Sequence, residues 1–458
     1  MLISDRMSPL ELRASVGLAS IYGLRMLGMF LILPVFAVYA EHLPGGEAHI
    51  LVGLALGVYG LTQAILQLPF GMASDHYGRK RVIYFGLVLF AIGSFIAAVA
   101  HDIEMVIIGR SIQGAGAINA AVTALLADLT REEHRTKSMA MIGGTIGFTF
   151  ALSLVLGPAL YHLVSIPGIF ALTGVLALLA LAIVKYTIPD PKVSSFHSDA
   201  EAMPAKLLEV LRDTELARLN FGIFVVHVAQ MSMFVVVPLA LRETGDLDAN
   251  HHWQVYLPIL VVSFALMVPP LLYGEKKGKI KEVFIASIAL MLLAEVALGV
   301  AKSHFWALVA LLAIYFVSFN ILEASLPSLV SRVAPARSKG TAMGIFNSFQ
   351  SFGLFAGGAL GGLLSHYFGA SAVFLFGAGL IGIWLFFASS MKQLPAVRNL
   401  AFHVREMTTD EARRLEAKLA LVLGVTEATV IAEEGVAYLK VDGAKFDEQA
   451  VLRLLPAV

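Results

Sequence analysis

The sequence is a succession of long apolar stretches separated by short polar ones, and this pattern continues to about residue 391. Many of the stretches approach the roughly 20 residues that a helix needs to cross a bilayer. They predict twelve membrane-spanning helices, near residues 14–40, 50–73, 82–101, 104–128, 138–162, 166–187, 217–241, 253–274, 282–301, 304–330, 340–366 and 370–391. A longer polar connection follows the sixth span, so we expect two six-helix halves joined by a linker.

The pattern changes after residue 394, where short segments of alternating polarity replace the long apolar ones. Strands are predicted at 399–404, 428–432 and 436–441. A helix over 409–423 is predicted to begin with a capping box, Thr408 and Glu411, and to end at Gly424. A second helix is predicted over 447–455. The order β-α-β-β-α is typical of a small ferredoxin-like α+β domain.

Four regions are therefore expected: an N-terminal six-helix half (1–188), a linker (189–216), a C-terminal six-helix half (217–393) and a small domain (394–458). Basic residues concentrate in alternate loops, for example 79–81 and 276–281, whereas the loops between them offer only Arg242 and Lys302. By the positive-inside rule the basic loops, both termini and the small domain are cytoplasmic. The predicted location is the inner (plasma) membrane, crossed many times.

Composition supports this class and excludes several others. Hydrophobic residues make up 58% of the chain and charged residues only 14%, against roughly 25% charged residues in soluble domains. The absence of cysteine excludes disulfides, thiolate metal sites and cysteine nucleophiles. The formal net charge is zero, so no overall positive field attracts nucleic acid.

A polar segment, GMASDHYGRKR at 71–81, interrupts the apolar pattern and has a weaker copy, GEKKGK, at 274–279. Asp75 and Gly78 match Glu275 and Gly278, 200 residues later. Another pair, 135–137 and 337–339, repeats at a similar offset of 202 residues. Two related halves around a central site are one architecture of secondary transporters.

The first copy carries a resemblance. Its pattern GxxxDxxGRK resembles the signature loop of the major facilitator superfamily, and RSIQG at 110–114 is similar to that family's RxxxG motif. Gly157-Pro158, and Leu27-Gly28 with Pro34, resemble patterns of its twelve-span drug:proton antiporters. The resemblance implies the helical fold of that family and a conformational gate made of Gly71, Asp75, Gly78, Arg79, Lys80 and Asp128. The alternative is an ordinary basic loop beside a solvated helix end.

Charged residues inside the predicted spans are candidates for proton coupling, because such a charge costs at least ~2.5 kcal/mol on insertion scales. Arg110 and Arg25 have two interpretations. Each either shifts the pKa of a nearby acid or is a structural arginine satisfied by backbone carbonyls. Glu323 is the preferred proton carrier, since Asn320 and Pro327 accompany it in an otherwise apolar span. Glu295 is expected to be structural. Residues that could line a substrate cavity, or simply pack, are Tyr59, His227, Gln230, Phe234 and Asn320.

The sequence therefore favours a proton-driven secondary transporter that exports small amphipathic compounds. No nucleotide-binding P-loop, hydrolase motif or metal constellation stands out, so neither an enzyme nor a metal or cofactor site is predicted, and the proton gradient supplies the energy. The expected partners are the lipid bilayer, a small-molecule substrate and protons, with a monomeric transport unit. The alternatives are an inward sugar or metabolite permease, and a non-transporting membrane sensor that signals through its C-terminal domain.

Overall fold

The fold is described here from a computed structural model, for residues 7–190, 206–301, 304–335, 338–392, 397–405, 407–432, 435–442 and 445–455. Most of the predicted linker (191–205), Lys302 and Arg337 therefore lie outside the described residues. Residues 7–190 contain the helices α1 (Pro9–Phe30), α2 (Phe36–Ala40), α3 (His49–Tyr77), α4 (Arg79–Ala98), α5 (Ile103–Ala115), α6 (Asn119–Leu129) and α7 (Glu132–Tyr186).

The next helices begin in the last part of the predicted linker. They are α8 (Leu207–Arg212), α9 (Thr214–Gly245), α10 (Trp253–Lys277), α11 (Ile280–Ala301), α12 (Phe305–Val333), α13 (Lys339–Phe368) and α14 (Ala370–Ser389), with a short 3-10 helix, Ala249–His251, before α10. We call the helices up to α7 the N-terminal half and those from α9 to α14 the C-terminal half.

Nine described helical segments are long and apolar enough to cross a membrane. One of them, in α7, belongs to a 55-residue helix, and this length is sufficient for two spans at about 1.5 Å per residue. The helices α1 and α13 are not among the nine, but their 22 and 30 residues also reach membrane length. The chain is thus a multi-pass membrane protein whose helices account for the twelve predicted spans.

Three predicted spans differ from the structure in their continuity. The first is interrupted between Phe30 and Phe36, because Pro34 has no N–H to donate and its ring clashes with the preceding turn. The fourth is divided into α5 and α6 at Gly116. The fifth and sixth are joined in α7 across a kink at Ser165, whose φ is 56°.

The chain reverses direction at that kink. Ser15, near the start of α1, contacts Ser138 of the first α7 segment, and Gly157 of the same segment lies against Leu31, beyond the end of α1. In the second segment the order of contacts along α1 is inverted. Thr173 lies against Gly28, near the end of α1, whereas Ile188, just after α7, lies against Gly17, nearer the start of α1. The two segments therefore run in opposite directions along α1, as two successive membrane spans do.

The two ends of the helical bundle differ. We call the end that contains Arg79 and the start of α7 the basic end, and the end that contains His49 and Arg242 the far end. At the far end α3 packs directly on α13: a Cβ built on Gly358 would lie 2.3 Å from the carbonyl oxygen of Gly53. Toward the basic end, Gly143 and Gly144 of α7 would have no neighbouring atom within 4 Å of such a Cβ. The halves are thus in close contact at the far end, and α7 is exposed at Gly143 and Gly144 toward the basic end, which we interpret as an opening between the halves.

The small C-terminal domain contains β1 (Val397–His403), α15 (Thr409–Leu419), β2 (Val425–Ile431), β3 (Val436–Asp442) and α16 (Glu448–Leu454). Its antiparallel sheet has the order β1-β3-β2. The predicted capping box of Thr408 and Glu411 is present, but α15 ends at Leu419, before the predicted stop at Gly424. Strand β1 contacts α7 and α12, one helix from each half. The predicted fold class, a helical membrane protein with a small α+β domain, is confirmed.

Candidate functional site

The predicted gate residues form a charge cluster at the basic end. Gly78, with a φ of 97°, makes the turn between α3 and α4, and Arg79 at the start of α4 is only 5% exposed. Its guanidinium group forms ion pairs with Asp75 and, at 3.4 Å, with Asp128. It also donates to the hydroxyl of Ser74 at 3.1 Å. A buried arginine thereby connects the ends of α3, α4 and α6.

The remaining gate residues support this cluster from its sides. A Cβ on Gly71 would lie 3.2 Å from the Cβ of Ala120, so α3 and α6 are close at that point. Lys80 donates to the carbonyl oxygen of Ile188 at 2.7 Å and pairs with Asp190 at 2.7 Å. The structure therefore brings together all six residues that the motif indicated. The side chain of Asp75 is 39% exposed, which leaves a carboxylate at the edge of the opening.

A second ion pair, which the sequence interpretation missed, lies near this cluster. Glu11 in the first turn of α1 accepts hydrogen bonds from the backbone N–H and the side chain of Arg131, at 2.9 to 3.0 Å, and from the N–H of Ser8 at 2.7 Å. Burial alone raises the pKa of Glu11, but the hydrogen bonds from Arg131 and Ser8 lower the pKa to about 2. The pair fixes the start of α7 to α1.

Arg25 lies inside the N-terminal half and has neutral partners. It is 2% exposed and donates to the side-chain oxygens of Asn119, at 2.7 Å, and Gln63, at 2.9 Å. Gln63 in turn donates to the hydroxyl of Ser351 on α13, at 3.0 Å. Because Gln63 belongs to the N-terminal half and Ser351 to the C-terminal half, this chain of hydrogen bonds crosses the interface. Gln63 is 14 residues from each end of α3, which places the crossing at mid-depth.

Arg110 has the surroundings of one of the two alternatives that the sequence left open. Its guanidinium group donates to Gln113 at 2.9 Å and to the backbone carbonyls of Ala55 and Leu56 at 3.4 and 3.5 Å. The guanidinium carbon also lies 4.9 Å from the centre of the Tyr59 ring. These partners fit the structural alternative, an arginine satisfied by backbone carbonyls. A role for Arg110 in proton coupling stays a prediction.

The C-terminal half has a titratable cluster at a similar depth. The amide nitrogen of Gln350 lies 2.9 Å from Nε2 of His227 and 3.2 Å from Oε1 of Glu323. His227 Nε2 and Glu323 Oε2 are 3.9 Å apart, and Nδ1 of His227 is 3.1 Å from the carbonyl oxygen of Ile223. A carbonyl can only accept and an amide nitrogen can only donate, so Nδ1 donates to Ile223 and Nε2 accepts from Gln350.

The other predicted cavity residues are buried, and each contacts different neighbours. Asn320 donates to Ser263 of α10 at 3.0 Å, and Gln230 is 3% exposed within α9. The ring of Phe234 lies 6.4 Å from that of Phe150 on α7, across the interface between the halves. Tyr59 lies in the N-terminal half, between Arg25 and Arg110. Of the five predicted residues, His227 is the one that belongs to the titratable cluster.

The sequence interpretation missed the residues that link the halves at the far end. Arg242 of α9 binds both carboxylate oxygens of Glu41, just after α2, at 2.6 and 2.9 Å. His49 of α3 contacts the hydroxyl of Ser365 on α13 at 2.9 Å. The sequence did mark Arg242 as unusual, because it is one of only two basic residues in the loops predicted to lie opposite the basic ones. Nothing in the sequence identifies its partner, 201 residues away.

Within the described residues, no group of three or more histidine and acidic side chains could hold a metal ion. The functional geometry thus consists of a charge cluster at the basic end, a hydrogen-bonded crossing at mid-depth and ion-paired contacts at the far end.

Comparisons with known proteins agree with this architecture. A model of the Major Facilitator Superfamily matches residues 18–277 and 272–419. The Escherichia coli (strain K12) inner membrane transport protein YajR is 42% identical over 438 residues, which cover 95% of this chain and 96% of that protein. The quinolone resistance protein NorA of Staphylococcus aureus (strain MSSA476) is 25% identical over 348 residues, covering 74% and 86% of the two chains.

Solved structures show the same fold at low sequence identity. The crystal structure of a bacterial homologue of the human lysosomal transporter Spinster, in an inward-facing and occupied conformation, matches with a TM-score of 0.69 at 13% identity. The match covers 84% of this chain and 97% of that one.

Proposed function

This chain belongs to the Major Facilitator Superfamily, and from that premise we propose that it is a proton-coupled exporter of small amphipathic compounds. Membership makes it a membrane transporter. The proposal adds the energy source and the direction of transport. It rests on one observation, that adjacent residues of α13 connect a titratable cluster in one half to a hydrogen-bonded crossing between the halves.

The two residues are Gln350 and Ser351. Gln350 bridges His227 and Glu323, and Ser351 accepts the hydrogen bond from Gln63 of the other half. Protonation of His227 at Nε2 removes the lone pair to which Gln350 donates, so the amide must rotate or move away. That change occurs one residue from the contact that holds α13 to α3. Proton binding and the interface between the halves are therefore coupled through a short piece of one helix.

Glu323 completes the proton site. Its side chain is 30% exposed, and its Oε2 atom has no hydrogen-bond partner among the described residues. The carboxylate and the imidazole lie 3.9 Å apart and are bridged by the amide of Gln350. We therefore assign the transported proton to the Glu323–His227 pair. Gln350 of α13 is the residue whose hydrogen bonds change when this pair is protonated.

Export is our proposed direction of transport, and the orientation and the relatives are compatible with it. With the basic end in the cytoplasm, by the positive-inside rule, the structure corresponds to a state open to the cell interior. Protons entering from outside would then load the pair while a compound taken up from the interior leaves. The relatives support this assignment, since one is named an inner membrane transport protein and another a quinolone resistance protein.

Transport in proteoliposomes with an imposed pH gradient tests this function, with dyes and antibiotics as candidate substrates. We expect Glu323→Gln to abolish gradient-driven flux and to preserve binding. Glu295→Gln is the matched control, because Glu295 is also a membrane-embedded glutamate but lies against Gly377 of α14, outside the cluster. Flux that ignored the gradient in the wild-type protein would contradict proton coupling. A complete lack of flux across the panel would favour the sensor alternative.

A further inference from the structure

We propose that Arg25 binds the anionic group of the transported compound, and that this compound is an organic anion with an aromatic or apolar body. The inference rests on the proposed function in one respect, that the interface between the halves is the transport site. It adds the chemical class of the substrate, which the proton-coupling argument leaves open.

The first observation is that Arg25 is a buried cation without a counter-ion among the residues that the structure describes. Its hydrogen bonds go to two neutral amide oxygens, and its Nε atom has no partner within the same residues. The rings of Tyr59 and Phe90 lie 5.7 and 5.5 Å from the guanidinium carbon. Amide oxygens and ring faces compensate a desolvated positive charge only in part. A carboxylate is the partner that such a planar guanidinium group binds best.

The second observation is the distribution of charge inside the bundle. Arg25 and Arg110 lie inside the N-terminal half, where the acidic residues of the described helices occupy only the terminal turns. The acids that lie inside the described bundle, Glu295 and Glu323, belong to the C-terminal half. A substrate anion between the halves is therefore attracted toward the N-terminal half and repelled by Glu323 when that acid is ionised. Arg25 is the cation whose contacts reach the interface, through Gln63 and Ser351.

The third observation is an aromatic surface next to Arg25. Phe30 follows it by five residues on α1, a rise of about 7.5 Å, and its ring centre is 5.1 Å from that of Phe150. Phe150 in turn lies 6.4 Å from Phe234 and 5.8 Å from Phe319, both in the C-terminal half. These rings form an apolar contact surface across the interface. An anionic group at Arg25 would leave an attached aromatic or apolar body against them.

Binding of matched compound pairs to the purified full-length protein tests the inference without any gradient. The pairs are benzoate and benzamide, 1-naphthaleneacetate and 1-naphthaleneacetamide, and indole-3-acetate and indole-3-acetamide, which differ in charge but little in shape. We expect at least one carboxylate to raise the melting temperature at concentrations where its amide does not. If none of the three carboxylates bound better than its amide, the inference would be wrong.

Variants of the site then locate the preference. We expect Arg25→Gln to weaken carboxylate binding by about 10- to 100-fold, as for the loss of a charged hydrogen bond, and Arg25→Lys to retain part of it. Because Arg25→Gln could prevent folding, Asn119→Asp provides a second test. It places a carboxylate at the 2.7 Å hydrogen bond to Arg25, so the empty protein should become more stable while the preference for carboxylates disappears.

Asn220→Asp is the matched control for that variant, since Asn220 is 2% exposed in the C-terminal half. This change should lower stability and leave the carboxylate preference intact. An Asn119→Asp protein that still preferred carboxylates as strongly as the wild type would overturn the inference.

The two proposals fail separately. Arg25-dependent carboxylate binding combined with flux that ignores the pH gradient would support the anion site and contradict proton coupling. Gradient-driven export of neutral or cationic dyes, without any carboxylate preference, would contradict the anion site and support proton coupling.

Discussion

Substitution of Gly358 by alanine should move the protein away from the state in which its far end is closed. The added Cβ would lie 2.3 Å from the carbonyl oxygen of Gly53 and 2.9 Å from the backbone of Gly57. The obstructing atoms belong to the backbone of α3, so they cannot rotate aside as a side chain could. Relief requires α3 and α13 to separate by about 1 Å, the kind of overpacking that costs about 1–3 kcal/mol.

That cost arises only in the conformation in which α3 and α13 are in contact at the far end. It therefore shifts the equilibrium between this conformation and the one that is open at the far end. A difference of about 1–3 kcal/mol changes the ratio of the two populations by about 5- to 150-fold. The direction is toward a structure open at the far end and closed at the basic end.

Cysteine accessibility measures this shift, and the chain contains no cysteine that would give background labelling. One reporter is Ser365→Cys at the far-end contact, where Ser365 is 7% exposed, and the other is Gly144→Cys beside the opening at the basic end. With protein in nanodiscs, Gly358→Ala should accelerate maleimide labelling of the first reporter and slow that of the second.

The control is Gly379→Ala on α14, because a Cβ at Gly379 would have no neighbour within 4 Å. It should leave both labelling rates unchanged. Equal rates in the Gly358→Ala and wild-type proteins would refute the argument that backbone contact at this glycine sets the conformational balance.

Three further predictions concern charged residues. Asp75→Asn should weaken closure of the basic end without abolishing substrate binding, so labelling at Gly144→Cys should increase; an unchanged rate would contradict the gate. Because the pKa of Glu11 is about 2 in the folded protein against an ordinary 4.5, its stabilising effect is complete above pH 4.5 and is lost as the pH falls toward 2. Thermal melts across that range should show a pH dependence that Glu11→Gln reduces. Glu41→Arg should expose the far end to labelling, and adding Arg242→Glu should restore protection if these two side chains form a direct pair.

The sequence predicted local features well because the residues that determine them are neighbours in the chain. Arg79 pairs with Asp75 four residues away, and the turn at Gly78 is made by a residue that tolerates a positive φ. The capping box at Thr408 spans three residues. A motif can encode such contacts directly.

Contacts between distant segments were not predictable in the same way. Gln63 meets Ser351, 288 residues later, and neither residue type indicates its partner within an apolar helix. For Arg110 the sequence left a nearby acid and backbone carbonyls as alternatives, and the carbonyls of Ala55 and Leu56 became apparent only once α5 was placed against α3. Arg25 was recognised as unusual, but its neutral surroundings became apparent only once α1, α3 and α6 were placed together.

The position of strand β1 has a consequence for the speed of the transporter. It contacts α7 in one half and α12 in the other, so the small domain spans the boundary that must widen and narrow in each cycle. Each conformational change therefore has to break or re-form some of these contacts, which adds their free energy to one side of the equilibrium. A molecule that strengthened or weakened the contacts of this domain with α7 and α12 would therefore change the turnover rate, without binding at the substrate site or the proton site.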